Sequence, residues 1–376
     1  MRIACISLSP VPYNTPILNA LAQRVDLHTI YLCNEDRVGG LVDTWGEAPA
    51  YDHSYFPSKS LHSQRLDLQL QLSIGIARRL AALSPDVVLV VSWKPAMIEP
   101  LLWARRSARG TVMWSESTTF SGLFRGPVSN RFRRAVATRV DSFVTNGSQA
   151  TEYLHALGVR PDRVVTSLLP GLTRVAQSSA SHTAATDGVH FLYVGRLIPR
   201  KRPLELIRAF ERVVREAPAA RLTIVGQGEL EPAVRELAAR APRARYVGFA
   251  QGDELAALYA EADVLVLPAL REVWGLVVNE ALAHGLFVIA TDEVGSAFDL
   301  VDEQSGAIVP AHDLEQLART MIRTAQTLDR SDAARRQRAA SVSHCTPERF
   351  ASDIERAADL AVRVSRNGSL RRHRAG

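Results

Sequence analysis

The sequence predicts an α/β protein made of two parallel-sheet domains, and three observations carry that prediction. Short apolar runs of strand length alternate with helical patterns along the chain. The purest runs, Val87-Val88-Leu89-Val90-Val91 and Val264-Leu265-Val266-Leu267, lack polar alternation, as strands buried on both faces of a parallel sheet do. The alternation lapses over residues 174–188, a polar, small-residue stretch without periodicity, and then restarts. A length of 376 residues gives ample chain for two cores.

Composition narrows the class. Apolar residues make up 47% and charged residues 22%, ordinary for a soluble globular protein. No run of about eighteen apolar residues suggests a membrane span. Residues 1–8 are too short for a signal-peptide core, run into Ser9-Pro10, and read as a first strand. Cys5, Cys33 and Cys345 are scattered and make neither a disulfide framework nor a metal site, which fits a reducing cytosol. No Asp-x-Asp triplet offers a metal–diphosphate site, so neither a metal nor another cofactor is expected. The net charge is +6, and lysine occurs only at Lys59, Lys94 and Lys201. A basic excess favours an anionic ligand or a membrane surface, with a solvated basic surface as the alternative. No nucleic-acid partner is expected.

In the first half, strands are expected over residues 2–8, 27–33, 86–91, 111–114 and 141–145. Thr15-Pro16 reads as a cap and first-turn proline opening a helix to about Arg24. Residues 34–63 read as a long irregular loop, 66–83 as a helix, and 149–157 as a helix. Ligands of open α/β sheets bind outside the carboxyl ends of strands. Four loops take that position, over residues 9–14, 92–94, 115–119 and 146–148. Glu116 and Lys94 are the candidates there for chemistry or acceptor binding, with a capping or surface charge as the plain alternative for each; Tyr13 and Asn14 are candidates for acceptor or phosphate contact. Residues 131–139, Arg-Phe-Arg-Arg-Ala-Val-Ala-Thr-Arg, form a basic, partly amphipathic helix.

In the second half, a strand over residues 189–194 leads to Gly195-Arg196-Leu197-Ile198-Pro199-Arg200-Lys201-Arg202-Pro203 and a helix with Leu204, Ile207, Phe210, Val213 and Val214 on one face. Arg196 and Lys201 place two cations at a strand's carboxyl end, where Arg grips phosphate oxygens as a fork and Lys acts as a point charge. Arg200 and Arg202 read as surface. The next strand ends in Gly226-Gln227-Gly228, a tight turn before a helix, and a later strand ends at Phe249. Further strands cover 286–291 and 306–310, a helix 313–328, and Thr346-Pro347 opens a helix to about Arg366. Arg371-Arg372-His373-Arg374 is expected to be disordered.

The remaining stretch is Arg271-Glu272-Val273-Trp274-Gly275-Leu276-Val277-Val278-Asn279-Glu280-Ala281-Leu282-Ala283-His284-Gly285, directly after the apolar run ending in Leu267-Pro268. From Gly275 it reads as a helix, with Gly285 as its stop. Eight helical residues span about 12 Å, roughly the gap from a hexose across a diphosphate to a ribose. The helix N-terminus between Glu272 and Glu280, with free amides and a positive dipole end, suits an anion. Two hydroxyl-binding carboxylates would thus flank an anion site.

This stretch resembles the Glu-x7-Glu signature of family-4 retaining glycosyltransferases, whose GT-B fold sets two Rossmann-like doubly wound domains facing a cleft. The resemblance is specific over residues 190–310 and looser in the first half. It implies an acceptor-binding domain 1–173, a linker 174–188, and a nucleotide-sugar-binding domain 189–345. A helix 346–366 would cross back to the first domain, and 367–376 would be a basic tail. It implies that Glu272 contacts the donor sugar and Glu280 the ribose. Arg196 and Lys201 would clamp the diphosphate, and Gly195, Gly226, Phe249, Val273, Trp274, Gly275 and Leu276 would line the donor site. The catalytic set is then Glu272, Arg196, Lys201 and Glu116. The partners implied are a nucleotide sugar and an acceptor glycan, lipid or small molecule, with membrane contact through residues 131–139 in membrane-acting relatives. Two departures stand out: Pro10-Val11-Pro12-Tyr13-Asn14-Thr15 occupies the loop where many relatives carry Gly-Gly, and no His ends the fourth strand. A nucleotide-sugar epimerase or a sugar phosphorylase is the rival enzyme reading. An epimerase needs a fuller acid/base set, and a pyridoxal phosphorylase needs a Schiff-base lysine, for which Lys201 is the sole lysine after Lys94. A catalytically inactive binding subunit is the non-enzymatic rival; it would tolerate loss of Glu272 or Lys201, and the sequence keeps both.

Overall fold

The computed structural model describes residues 1–33, 48–57, 59–63, 68–72, 74–120, 126–171 and 188–373. The chain divides into two compact units, Met1–Pro170 with Thr346–Gly376, and Gly171–Cys345. The expected linker, apart from Gly188, lies outside the described residues.

The first unit holds a seven-stranded sheet, all of whose pairings are parallel. Its strands are β1 (Arg2–Ser7), β2 (Asp26–Tyr31), β3 (Asp52–Tyr55), β6 (Val87–Val91), β7 (Gly110–Ser115), β8 (Ser142–Asn146) and β9 (Val164–Ser167), in the order β3-β2-β1-β6-β7-β8-β9. A separate antiparallel hairpin pairs β4 (Lys59–Ser63) with β5 (Leu68–Leu72). The hairpin corrects the helix expected over residues 66–83, which starts only at Ile76. Leu68-Gln69-Leu70-Gln71-Leu72 alternates with period two, a strand pattern that the longer helical reading absorbed. The irregular loop expected over 34–63 likewise contains β3 and β4, while 34–47 lie outside the described residues. Helices α1 (Thr15–Ala22), α2 (Ile76–Leu83), α3 (Ile98–Arg106), α4 (Pro127–Ala137) and α5 (Gly147–Ala156) connect the strands. Asn14, not Thr15, sits at the cap of α1, with Pro16 in its first turn.

The second unit is a six-stranded parallel sheet. Its strands are β10 (His190–Val194), β11 (Arg221–Val225), β12 (Ala244–Gly248), β13 (Val264–Leu267), β14 (Phe287–Thr291) and β15 (Gly306–Val309), in the order β12-β11-β10-β13-β14-β15. The chain winds outward one way from β10 and then the other way from β13. The carboxyl ends of those two strands are therefore the topological switch point, where doubly wound sheets hold ligands. Helices α6 (Pro203–Glu216), α7 (Glu231–Arg240), α8 (Gly252–Glu261), α9 (Leu276–Ala283), α10 (Ala297–Leu300), α11 (Leu314–Thr327) and α12 (Asp332–Ser341) complete the unit. Helix α6 buries Ile207, Phe210 and Val213 as its spacing predicts, with Leu206 buried beside them and Leu204 and Val214 only partly covered. Ser331 caps α12 through the Ala334 amide.

The last helix, α13 (Pro347–His373), belongs to the first unit. Thr346 caps it, accepting from the Arg349 amide at 3.2 Å. Phe350, Ala351, Ile354, Ala357, Ala358 and Ala361 are fully buried, so small residues let it lie close on the sheet. Phe350 meets Trp114 of β7 at 4.7 Å between rings, and Ser142 donates to the Ala357 carbonyl at 2.6 Å. Each such fully buried large side chain contributes about 1.5–3 kcal/mol. The helix continues past Arg366 to His373, into the segment expected as a disordered tail; the Leu370-Arg371-Arg372 run favours helix. Arg374 lies outside the described residues. Among the described residues no helix is long and apolar enough to cross a membrane.

Candidate active site

At the switch point of the second unit, the loop after β10 is stitched to its neighbour before it carries any charge. Tyr193 donates to the Arg196 carbonyl at 3.0 Å, and Leu197 donates its amide to Gln227 at 2.9 Å. Gly226 has φ +142°, and a Cβ there would stand 1.9 Å from the Gly195 carbonyl oxygen. Only glycine fits that backbone and that approach. The turn Pro199–Lys201 then buries Lys201, which is 9% exposed, while Arg196 stays exposed on the loop.

The loop after β13 supplies the opposite charge. Arg271 sits in the left-handed region at φ +52°, costly for a side chain with a Cβ. Its amide donates to Glu293 Oε2 at 2.8 Å, and the Glu272 amide donates to the Glu293 carbonyl at 2.8 Å. Gly295 returns a bond to the Glu272 carbonyl at 3.0 Å. Trp274 is buried and donates through Nε1 to Asn279 at 2.9 Å. Gly275 turns at φ +94° into α9; the Val278 amide bonds back to the Gly275 carbonyl at 2.9 Å, and the first helical amides, of Leu276 and Val277, have no acceptor within the helix. Val273 and Leu276 are half-buried on either side.

The two loops meet at Glu272. Lys201 Nζ lies 2.5 Å and Arg200 NH1 2.9 Å from the same oxygen, Oε2. Burial pushes the carboxyl's pKa up, but Lys201 and then Arg200 outweigh it and hold Glu272 below its ordinary value. Arg200, expected on the surface, is instead part of this cluster. Its NH1 also donates to the Leu270 carbonyl at 3.3 Å and the Arg271 carbonyl at 3.0 Å. Arg202 also turns inward, onto the Ala311 carbonyl.

Glu280, on α9, is 7% exposed and accepts from Tyr259 at 2.8 Å. Burial and then the Glu280 charge push the Tyr259 hydroxyl well above its ordinary value, so it remains a donor. Its ring stacks on His284 at 5.1 Å. Tyr259 had no sequence signal, since one buried aromatic on α8 looks like ordinary core. Phe249 is 39% exposed just past the edge strand β12, two strands from β10. The structure therefore clusters Lys201 with Glu272, sets Gly195 against Gly226, and places Phe249 at the sheet's edge.

Within the first unit the candidates follow the carboxyl ends of β1, β6 and β7. Trp114 donates to Asn146 Oδ1 at 2.7 Å and so fixes that buried amide. Burial pushes Glu116 up to about 7, with the Asn146 side chain pulling the other way. Among the described residues Glu116 Oε1 and Asn14 Oδ1 are buried without hydrogen-bond partners. Tyr13 is raised by burial and then by the Glu116 charge, which puts both in one electrostatic neighbourhood. Lys94 is half-buried at the start of the turn Pro95–Met97. On the basic helix α4, Arg133 faces inward, with its guanidinium 5.7 Å from the Trp93 ring and 5.4 Å from the Tyr153 ring. Arg131, Arg134 and Arg139 remain exposed.

Glu116 predicts a pH signature. Its folded pKa lies above the unfolded value, so the native state holds this proton more tightly. Stability falls as pH rises from the ordinary carboxyl value through about 7. Glu116→Gln lacks that proton, so its melting temperature relative to wild type is expected to climb between roughly pH 5 and 8. Thermal melts across that window test this, and a constant offset would count against a buried, protonated Glu116.

Residues 17–167 match the glycosyl transferase 4-like domain and residues 188–327 the group 1 glycosyl transferases. A D-inositol 3-phosphate glycosyltransferase of Catenulispora acidiphila is 33% identical over 199 residues, 47% of this chain and 46% of that protein. A glycogen synthase of Mycobacterium tuberculosis is 29% identical over 242 residues, 61% of this chain and 58% of that protein. The chain spans about half the length of the curated relatives it matches. Among solved structures, a Rickettsia africae glycosyltransferase superposes with a TM-score of 0.72 at 14% identity, covering 96% of this chain and 98% of that one. Anabaena HepE in complex with UDP gives 0.68 at 15% identity, covering 98% of both chains. With a parallel α/β sheet in each unit, these likenesses give the fold as GT-B. With a family match in each unit, the chain belongs to the group 1 glycosyltransferases.

Proposed function

We propose that this chain is a retaining glycosyltransferase that moves a sugar from a nucleoside diphosphate donor to an acceptor hydroxyl without a metal. The observation that carries the reading is the Lys201–Glu272 contact at the switch point. The departing diphosphate gains negative charge as the glycosidic bond breaks. Arg196, Lys201 and the first-turn amides of α9 would stabilise it there. Glu272, held ionised, would accept hydrogen bonds from the sugar hydroxyls, and Glu280, oriented by Tyr259, from the ribose. Departure and attack on one face let a leaving-group phosphate oxygen take the acceptor proton, which keeps the anomeric configuration and needs no strong protein base. Glu116 and Tyr13, in the first unit, would hold the acceptor, be it glycan, lipid or small molecule. A cytoplasmic enzyme fits this reading, with Arg131, Arg134 and Arg139 as the face an anionic membrane would meet; cosedimentation with anionic vesicles measures that contact.

The test is a thermal-shift screen of UDP-, GDP- and dTDP-sugars and their free diphosphates, run with chelator. One nucleotide is expected to give saturable stabilisation that Glu280→Ala or Lys201→Ala abolishes. Absence of any shift would remove the donor-site assignment and favour the inactive-subunit reading. With the donor known, NMR of the product's anomeric centre reads retention directly, and an epimerised donor without transfer would favour the epimerase.

A further inference from the structure

Lys201 and Arg200 both spend their charge on one oxygen of Glu272, yet only one of them is tied down. Lys201 reaches Oε2 with a flexible ammonium. Arg200 has its NH1 shared among Oε2, the Leu270 carbonyl and the Arg271 carbonyl. Its own carbonyl accepts from the Leu270 amide at 2.7 Å. The guanidinium thus closes a short ring of bonds around the loop that carries the strained Arg271 and Glu272. Among the described residues the hydrogen bond from Arg200 and the nearest approaches of both cations fall on Oε2, not Oε1, of Glu272.

We propose that Arg200 is a positioning residue: it keeps Glu272 ionised and aimed when a donor diphosphate draws Lys201 away. This rests on the donor-site reading above. A diphosphate offers Lys201 more charge than one carboxylate does. Without a second cation, Glu272, whose side chain is 14% exposed, would be left as a nearly buried, unpaired charge and would take up a proton. A protonated Glu272 accepts fewer sugar hydroxyls. Lysine could supply the charge at position 200, but its flexible ammonium lacks the rigid guanidinium plane that fixes NH1 against two carbonyls.

The test compares Arg200→Gln, Arg200→Lys and Glu272→Gln in the full chain. The probes are UDP-glucose, GDP-mannose and dTDP-glucose with their free diphosphates. Calorimetry across pH on the best binder is the readout. Arg200→Gln is expected to bind the free diphosphate within about twofold of wild type, yet to lose about tenfold or more of the extra affinity conferred by the sugar. The acid limb of sugar-nucleotide binding should move to higher pH, a shift that a merely structural defect would not produce. Arg200→Lys should return that limb toward wild type while recovering the affinity only in part, and it carries the test if the Gln variant is unstable. An unmoved acid limb in both Arg200 variants, with Glu272→Gln impaired, overturns the role of Arg200 alone. Wild-type binding in Glu272→Gln, or no binding of any probe, overturns the donor reading beneath it.

Discussion

Lys201→Ala is expected to lower kcat/KM by tenfold or more while the fold survives. A charge-assisted hydrogen bond is worth about 1.5–3 kcal/mol, and about 1.4 kcal/mol is a decade in rate. A lysine whose contact with phosphate strengthens as the bond breaks spends that energy in the transition state. Stability should change less. Breaking a buried ion pair usually costs about 3–5 kcal/mol because a charge is stranded, but here Arg200 remains on the same Glu272 oxygen. Glu272 also sets the sign of the pH effect. Its folded pKa lies below the ordinary value of 4.5. Its contribution to stability is therefore complete above that value and is lost as pH falls through the folded pKa. Removing Lys201 raises the folded pKa and should bring the loss in at higher pH. Steady-state kinetics at several pH values, beside melting curves, measure both effects. Wild-type turnover in this variant would falsify the phosphate role of Lys201.

The site was legible where chemistry and period coincide. Glu272 and Glu280 flank the N-terminus of a helix opened by a glycine and follow an apolar strand, so their order along the chain already fixes their order in space. Gly195 and Gly226 end strands that pair directly, and the close approach of their backbones explains the glycine at 226. Arg200 was misread for an equally physical reason. Loop side chains follow no period, so three consecutive cations, Arg200, Lys201 and Arg202, give no sign that all three turn inward. The backbone turns left-handed at Arg202, φ +56°, an angle no residue type announces. Tyr259 was missed because its partner lies 21 positions away on another helix. The hairpin over 59–72 was lost to a window that joined its alternating leucines to the helix after Gly75. Helix α12 escaped because most of its turns are arginine and alanine, with little apolar stripe to read.

Asp263→Ala should destabilise the second unit by about 3–5 kcal/mol. Asp263 is 3% exposed just before β13. It accepts from the His190 amide, the first residue of β10, at 2.9 Å. Its carboxylate faces Arg330 at 3.6 Å and Arg335 at 3.8 Å. Arg335 is itself buried and bonds the Ala262 carbonyl at 2.9 Å and the His284 carbonyl at 3.1 Å. The alanine variant would leave that guanidinium without the stronger of its two counter-charges, Asp332 remaining, and the His190 amide without this acceptor, two separate penalties in one place. The consequence reaches the site, because β10 and β13 hold Lys201 and Glu272 at their far ends and Asp263 ties the near ends of both. Asp263→Asn keeps an acceptor for the His190 amide and loses only the charge, so it should fall between wild type and the alanine. Denaturant unfolding of the three proteins separates the terms: an Asn variant as unstable as the Ala variant would assign the whole loss to the buried arginine. If Asp263→Ala loses less than about 1 kcal/mol, the carboxylate is not what offsets the burial of Arg335, and the carbonyls of Ala262 and His284 suffice.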